Sequence, residues 1–82
     1  MKTREDVYQQ LRDYLVDMFD VPAEDITPKA RLMEDLDLDS IDAVDLIVKF
    51  QEMIGKKIPP AEFKSVRTVD DVVGKIHALV ND

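Results

Sequence analysis

The sequence is poor in the residues that most enzymes and metal proteins depend on. Its 82 residues include no cysteine and no tryptophan, one histidine, two glycines and two serines. The absence of cysteine excludes disulfides, thiolate metal sites and a cysteine nucleophile. Two glycines are too few for a glycine-rich phosphate-binding loop, and so short a chain seldom encloses a substrate pocket. We therefore expect no enzymatic activity.

Long apolar segments are missing as well. No apolar run approaches the roughly 20 residues of a membrane span. The first six residues carry mixed charges instead of the apolar stretch of a signal peptide. These features predict a cytoplasmic protein without a membrane span.

What the chain does contain suits a small folded domain with an acidic surface. Hydrophobic residues make up 45% of the sequence and charged residues 35%, and the formal net charge is -7. This balance favours one globular domain over residues 1–82 rather than a disordered tail. The negative charge disfavours nucleic acid and anionic membranes as partners, and favours proteins with basic surfaces. We expect a monomer.

Apolar residues recur with helical spacing, and no segment shows the sustained alternation of a half-buried strand. The fold class predicted is all-α: a four-helix bundle of three longer helices and a short third one. Helix one is expected over residues 4–18, capped by Thr3 with Asp6. Helix two is expected from Asp39 or Ser40 to about Ile54, where Gly55 would end it.

The second half of the bundle is marked by proline and by a further cap. The Pro59–Pro60 pair permits only a short helix near residues 61–63, and Thr68 with Asp71 begins the last helix. Gly74 within that helix suggests a close helix contact.

A long loop joins helix one to helix two and reaches to about residue 38. Its apolar side chains predicted to point inward are Val21, Ile26, Leu32, Leu36 and Leu38.

Helix two has two apolar faces. The face predicted to meet the core carries Ala43, Leu46, Ile47, Phe50, Met53 and Ile54. The opposite face carries Ile41, Val44 and Val48, with Asp45 and Glu52 beside them. One interpretation is that the long loop covers this second face; the other is that the face is an exposed docking strip whose acids steer a basic partner. Both can be partly true.

Acidic residues are concentrated where helix two begins. Residues 34–45 hold six acids and no basic residue, against about 2.6 acids if the 18 were scattered evenly over the chain. The spacing does not fit a calcium-binding EF-hand loop, because Ile41, Asp42 and Val48 occupy positions that need an oxygen ligand, a glycine and a glutamate. We therefore predict no metal site.

Ser40 is the polar residue at the centre of this acidic segment. The single histidine, His77, lies on the last helix, so a Ser-His catalytic pair is not expected and no catalytic residue is predicted. Ser40 could be a plain helix cap. If Asp39 caps the helix instead, the Ser40 hydroxyl points into solvent and is available for covalent modification.

Residues 34–46 read EDLDLDSIDAVDL, which resembles the signature of acyl carrier proteins. In that family the serine of an Asp-Ser-Leu segment bears a 4′-phosphopantetheine group. The order of helices and the long loop also resemble the family, so the resemblance spans essentially the whole chain. It implies that Ser40 is the attachment site, that Asp39 is the motif acid, and that Ile41, Val44, Asp45 and Val48 face partners. Glu52 is predicted to face partners as well, because it lies beside the same face of helix two.

The resemblance also implies the cofactor and the partners. A phosphopantetheinyl transferase would load the group from coenzyme A. Ketosynthases, ketoreductases, dehydratases and acyltransferases of fatty-acid or polyketide-type biosynthesis would then act on the acyl thioesters it carries. The alternative function is a small acidic protein-interaction domain in which Ser40 only caps the helix; a phosphorylated adaptor is a third.

One departure from the family pattern concerns the pathway. Family members commonly have glycine two residues before the motif acid, where this chain has Asp37. Peptidyl carriers tend to have two glycines and a non-acidic residue before the serine, so Asp39 favours an acyl carrier. We expect a discrete carrier of a dedicated fatty-acid-like or polyketide-like pathway, such as one that makes polyenes.

Overall fold

The computed structural model describes residues 3–63 and 65–80, with three α-helices joined by irregular segments. The helices are α1 (Arg4–Phe19), α2 (Ser40–Ile54) and α3 (Val69–Val80), and two 3-10 turns cover Ala23–Asp25 and Pro60–Phe63. The predicted all-α class is confirmed, and the short third helix is a 3-10 turn. The domain expected over residues 1–82 also includes residues 1, 2, 64, 81 and 82, which lie outside the described part.

The first helix begins and ends as its sequence chemistry requires. The Thr3 hydroxyl accepts a hydrogen bond from the Asp6 backbone N–H at 3.1 Å, and the Asp6 carboxylate accepts one in return from the Thr3 backbone. The chain leaves the helix at Asp20, whose φ of 55° is left-handed. Three apolar side chains at helical spacing are fully buried: Val7, Leu11 and Leu15.

The long loop between α1 and α2 is packed by its own apolar side chains. All five anchors predicted from the sequence are buried: Val21, Ile26, Leu32, Leu36 and Leu38. The Tyr8 hydroxyl on α1 also donates to the Ile26 carbonyl at 3.1 Å. Burial of these anchors explains how a loop of this length packs against the rest of the fold.

Backbone hydrogen bonds fasten the loop to the segment that leads into α3. The Leu32 N–H donates to the Arg67 carbonyl, and the Val69 N–H donates to the Ala30 carbonyl, each at 2.9 Å. The predicted cap of α3 is present, since the Asp71 N–H donates to the Thr68 hydroxyl at 3.2 Å. Backbone hydrogen bonds therefore hold the loop and the start of α3 together.

The inner face of α2 is close to the predicted one, with one correction. Leu46, Ile47 and Phe50 are buried, but Met53, predicted to face the core, is 37% exposed. Its sulfur accepts a hydrogen bond from the Tyr14 hydroxyl at 3.3 Å. The Tyr14 ring packs edge-on against Phe50, with centroids 5.1 Å apart, so it closes the core beneath Met53.

The two glycines have different roles. Gly55 ends α2 with a left-handed φ of 71°, as predicted. Gly74 on α3 lies against α1: a Cβ placed there would lie 3.3 Å from the Arg4 guanidinium, which pairs with Asp70 at 2.8 Å. The predicted close contact at Gly74 is thus with the tip of a side chain.

None of the described helices has the length and apolar content needed to cross a membrane.

Candidate functional site

The start of α2 separates the capping residue from the serine. The Asp39 carboxylate accepts a hydrogen bond from the Asp42 N–H at 2.9 Å, and the Asp42 carboxylate accepts one from the Asp39 N–H at 3.2 Å. This reciprocal capping box satisfies the helix start without Ser40. Ser40 is the first helical residue and is exposed, and its hydroxyl has no hydrogen-bond partner among the described residues.

The second apolar face of α2 is exposed. Ile41, Val44 and Val48 are 70%, 49% and 43% accessible to solvent. The interpretation that the long loop covers this face is therefore wrong, and the docking-strip interpretation agrees with the structure. Asp45 and Glu52, the two acids predicted beside the strip, are also exposed.

A cleft of about 630 Å³ opens beside Ser40. This volume lies in the range of pockets that hold small molecules. Its floor is apolar and comes from α2, the long loop and the segment before α3: Leu32, Leu38, Leu46, Ile47, Phe50, Phe63, Val66 and Val72. Five polar residues of the lining are exposed to solvent and therefore mark its mouth: Arg31, Glu34, Asp39, Ser40 and Arg67.

Two acidic residues of the loop form ion pairs with Arg31. The Arg31 guanidinium lies 2.6 Å from the Glu34 carboxylate and 3.3 Å from the Asp35 carboxylate. Hydrogen bonds from the side chain and backbone of Arg31 hold the pKa of Asp35 below its usual value. Within the described residues, no group of three histidine or carboxylate side chains could hold a metal ion.

Asp37 has a backbone conformation that explains the departure from the family pattern. Its φ of 59° is left-handed, a region that glycine adopts without steric cost. Aspartate is among the few other residues that tolerate this region. In this chain the position two residues before the motif acid is left-handed, and Asp37 adopts that conformation where the resemblance predicts glycine.

Sequence reasoning missed several features of the site. It did not identify the cleft or its two mouth arginines, and it gave no role to Met33, which is 59% exposed at the rim. No local pattern marks these residues, because the loop and the start of α3 meet only in the fold. His77 lies half-buried on α3 and does not line this cleft.

Comparisons with known proteins agree with this arrangement. The family described as phosphopantetheine attachment site matches residues 9–76. Acyl carrier protein 2 of Ralstonia nicotianae is 49% identical over 95% of this chain and 96% of its own, and the acyl carrier protein of Lactobacillus acidophilus is 35% identical over 90% and 92%.

A solved structure supports the same conclusion. The acyl carrier protein from Enterococcus faecalis superposes with a TM-score of 0.74 at 26% identity, over 93% of this chain and 96% of that one. The fold, the exposed serine at a capped helix start and these matches lead to one assignment. The chain belongs to the acyl carrier protein family, non-catalytic carriers with a phosphopantetheine attachment site.

Proposed function

We propose that Ser40 is the residue that carries the 4′-phosphopantetheine arm. The observation that carries this proposal is the arrangement at the start of α2: Asp39 caps the helix, and the Ser40 hydroxyl is exposed and has no hydrogen-bond partner among the residues that the structure describes. The oxygen can therefore react without loss of the cap. The residues around it fit a phosphodiester. The capping box occupies the backbone N–H groups of Asp39 and Asp42, and within the described part of the chain it leaves those of Ser40 and Ile41 for an anion.

Loading is a group transfer between coenzyme A and the serine. The Ser40 oxygen attacks the phosphorus that bears pantetheine, a new P–O bond forms, and the bond to adenosine 3′,5′-bisphosphate breaks. The serine proton leaves with a base of the phosphopantetheinyl transferase. The arm supplies a terminal thiol that holds acyl groups as thioesters.

The exposed strip on α2 is proposed to be the surface that partner enzymes contact. Ile41, Val44 and Val48 offer a small apolar centre next to the attachment site, and Asp45 with Glu52 places negative charge beside it. Long-range attraction would bring a basic partner to the strip, and burial of the apolar centre would hold it. The partners proposed are the transferase and the acyl-processing enzymes of a dedicated fatty-acid-like or polyketide-like pathway.

The cleft beside Ser40 is proposed to shelter the apolar part of the cargo. Its floor includes Leu46, Phe50 and Val72, and its mouth includes Ser40 itself. An acyl chain placed there would be removed from water, which is favourable in proportion to the apolar area buried. Replacing Leu46 with Trp would fill the cleft and should leave long acyl chains more exposed to hydrolysis of the thioester.

Intact mass spectrometry tests the attachment site. The protein is incubated with coenzyme A and a broad-specificity phosphopantetheinyl transferase, and a mass increase of one phosphopantetheine mapped to Ser40 is expected. Ser40→Ala should gain no mass. Ser65→Ala is the matched control, because Ser65 is the other serine of the chain and lies outside the cleft lining, and it should load like the wild type.

Two outcomes would contradict the proposal. A Ser40→Ala variant that still gains the mass would place the arm elsewhere. A wild-type protein that stays unloaded beside an active transferase would show that the Ser40 site does not function. A phosphate-sized mass on Ser40 in cells would instead favour the phosphorylated adaptor considered above.

A further inference from the structure

The two arginines at the mouth of the cleft differ in how they are paired. The Arg31 guanidinium forms ion pairs with Glu34 and Asp35. The Arg67 guanidinium forms no ion pair with any carboxylate of the described residues. The pKa of the Asp71 carboxyl is lowered mainly by hydrogen bonds from the backbone N–H groups of Arg67 and Thr68. The positive charge of the Arg67 guanidinium makes a smaller contribution in the same direction.

The backbone of Arg67 is fixed although its side chain is exposed. Its carbonyl accepts the Leu32 N–H at 2.9 Å, and its own N–H donates to the Asp71 carboxylate at 2.9 Å. These two bonds hold the residue at the junction of the loop and α3. The backbone hydrogen bonds therefore fix the position from which the Arg67 side chain extends. The N–H donors of its planar guanidinium can bind another acceptor.

A phosphodiester on Ser40 would need such a donor. Its negative charge would join the carboxylates of Glu34 and Asp39, which line the same cleft, and like charges repel. The N-terminal end of α2 offsets part of this repulsion. Among the described cations that line the cleft, Arg31 is already paired and Arg67 is not.

We propose that the Arg67 guanidinium binds the phosphodiester of the arm on Ser40 and directs the arm across the mouth of the cleft. The inference rests on the proposed attachment at Ser40. A guanidinium matches two phosphate oxygens with two parallel N–H donors, which a lysine ammonium cannot do. Arg67 is a positioning residue: it makes no bond in the loading reaction, and it fixes the direction in which the arm and its acyl group leave the serine.

Nuclear magnetic resonance of the fully loaded protein tests this pairing. The ³¹P resonance of the phosphodiester and the Arg67 Nε–H resonance are recorded, with loading checked by intact mass. On conversion from unloaded to loaded protein the Arg67 Nε–H signal should shift. In loaded Arg67→Gln the ³¹P signal should move away from its wild-type position, and in Arg67→Lys it should fall between the two.

A matched control separates the local contact from a general change in charge. Arg12→Gln removes the same charge from α1, and Arg12 does not line the cleft, so the ³¹P signal should stay at the wild-type position. Circular dichroism of each variant confirms that the helices are retained.

The outcomes also distinguish this inference from the attachment proposal. Identical ³¹P signals in fully loaded wild-type and Arg67→Gln proteins would overturn the inference and leave the attachment site intact. An Arg12→Gln variant that shifts the signal as much as Arg67→Gln would overturn it as well. A wild-type protein without phosphopantetheine on Ser40 would refute the attachment proposal, and this inference with it.

Discussion

The start of α2 offers a quantitative test of whether the helix cap needs the Ser40 hydroxyl. Asp39→Ala removes the 2.9 Å hydrogen bond to the Asp42 N–H and leaves that donor without its partner. Loss of such a cap costs about 1 kcal/mol, within a range of about 0.5–2 kcal/mol. In a domain of this size, about 1 kcal/mol lowers the Tm by roughly 4–8 °C. Asp39→Ala should show this loss.

Ser40→Ala should behave differently, because it removes a hydroxyl without a hydrogen-bond partner among the described residues and inserts a good helix former. The free energy of unfolding should change by less than about 0.5 kcal/mol. Urea unfolding of the unloaded variants, followed by circular dichroism, measures both effects. Asp39→Asn is the matched control, since asparagine caps about as well as aspartate and should remain near the wild type.

An equal loss of stability in Ser40→Ala and Asp39→Ala would contradict this expectation. Ser40 would then contribute to the cap, and modification of its oxygen would weaken the helix that presents it. Equal stability of Asp39→Ala and the wild type would also contradict the reasoning, because the capping box would contribute nothing.

Three further predictions concern the surface, the helix contact and acid stability. Reversal of Asp45 and Glu52 to Lys should slow association with the transferase and weaken its salt dependence, measured by stopped flow; unchanged rates would remove the steering argument. Gly74→Ala should raise the free energy of unfolding by up to about 1 kcal/mol, because the new Cβ meets only the flexible end of Arg4, and a decrease would show that the guanidinium cannot move. Backbone hydrogen bonds hold the pKa of Asp71 below its ordinary value of 3.8, so its stabilisation is present above about pH 4 and is lost as pH falls through the lower folded pKa. Asp71→Ala should therefore flatten the loss of stability in acid, and an equally steep loss would contradict this origin.

The features that could be predicted from sequence depend on neighbouring residues. The limits of α2 are an example: an aspartate cap at Asp39 and a left-handed glycine at Gly55 act within one helical turn. The buried loop anchors could be predicted for a related reason. Isolated leucines, isoleucines and valines in an otherwise polar loop have few alternatives to the core.

The features that could not be predicted depend on contacts between distant segments. The cleft exists because the loop pairs with the start of α3 through Leu32 and Arg67, and no local pattern specifies that pairing. The surroundings of Met53 also depend on a distant segment, since the Tyr14 hydroxyl of another helix donates to its sulfur and the Tyr14 ring packs against Phe50. Helical periodicity gives the direction of a side chain, but the neighbour that fills the space in front of it decides burial.

The apolar side chains of the exposed strip on α2 do not contribute their full free energy of burial to the stability of the fold. Burial of a valine or an isoleucine side chain is worth roughly 1.5–3 kcal/mol, yet Ile41, Val44 and Val48 remain 70%, 49% and 43% exposed while the inner face of the same helix is buried. A strip of three such side chains is too small for a permanent interface. Because charge governs the rate of association and a small apolar centre gives modest affinity, complexes on this surface should form quickly and separate quickly. The proposed transfer of one thioester to several enzymes in turn requires that kind of contact.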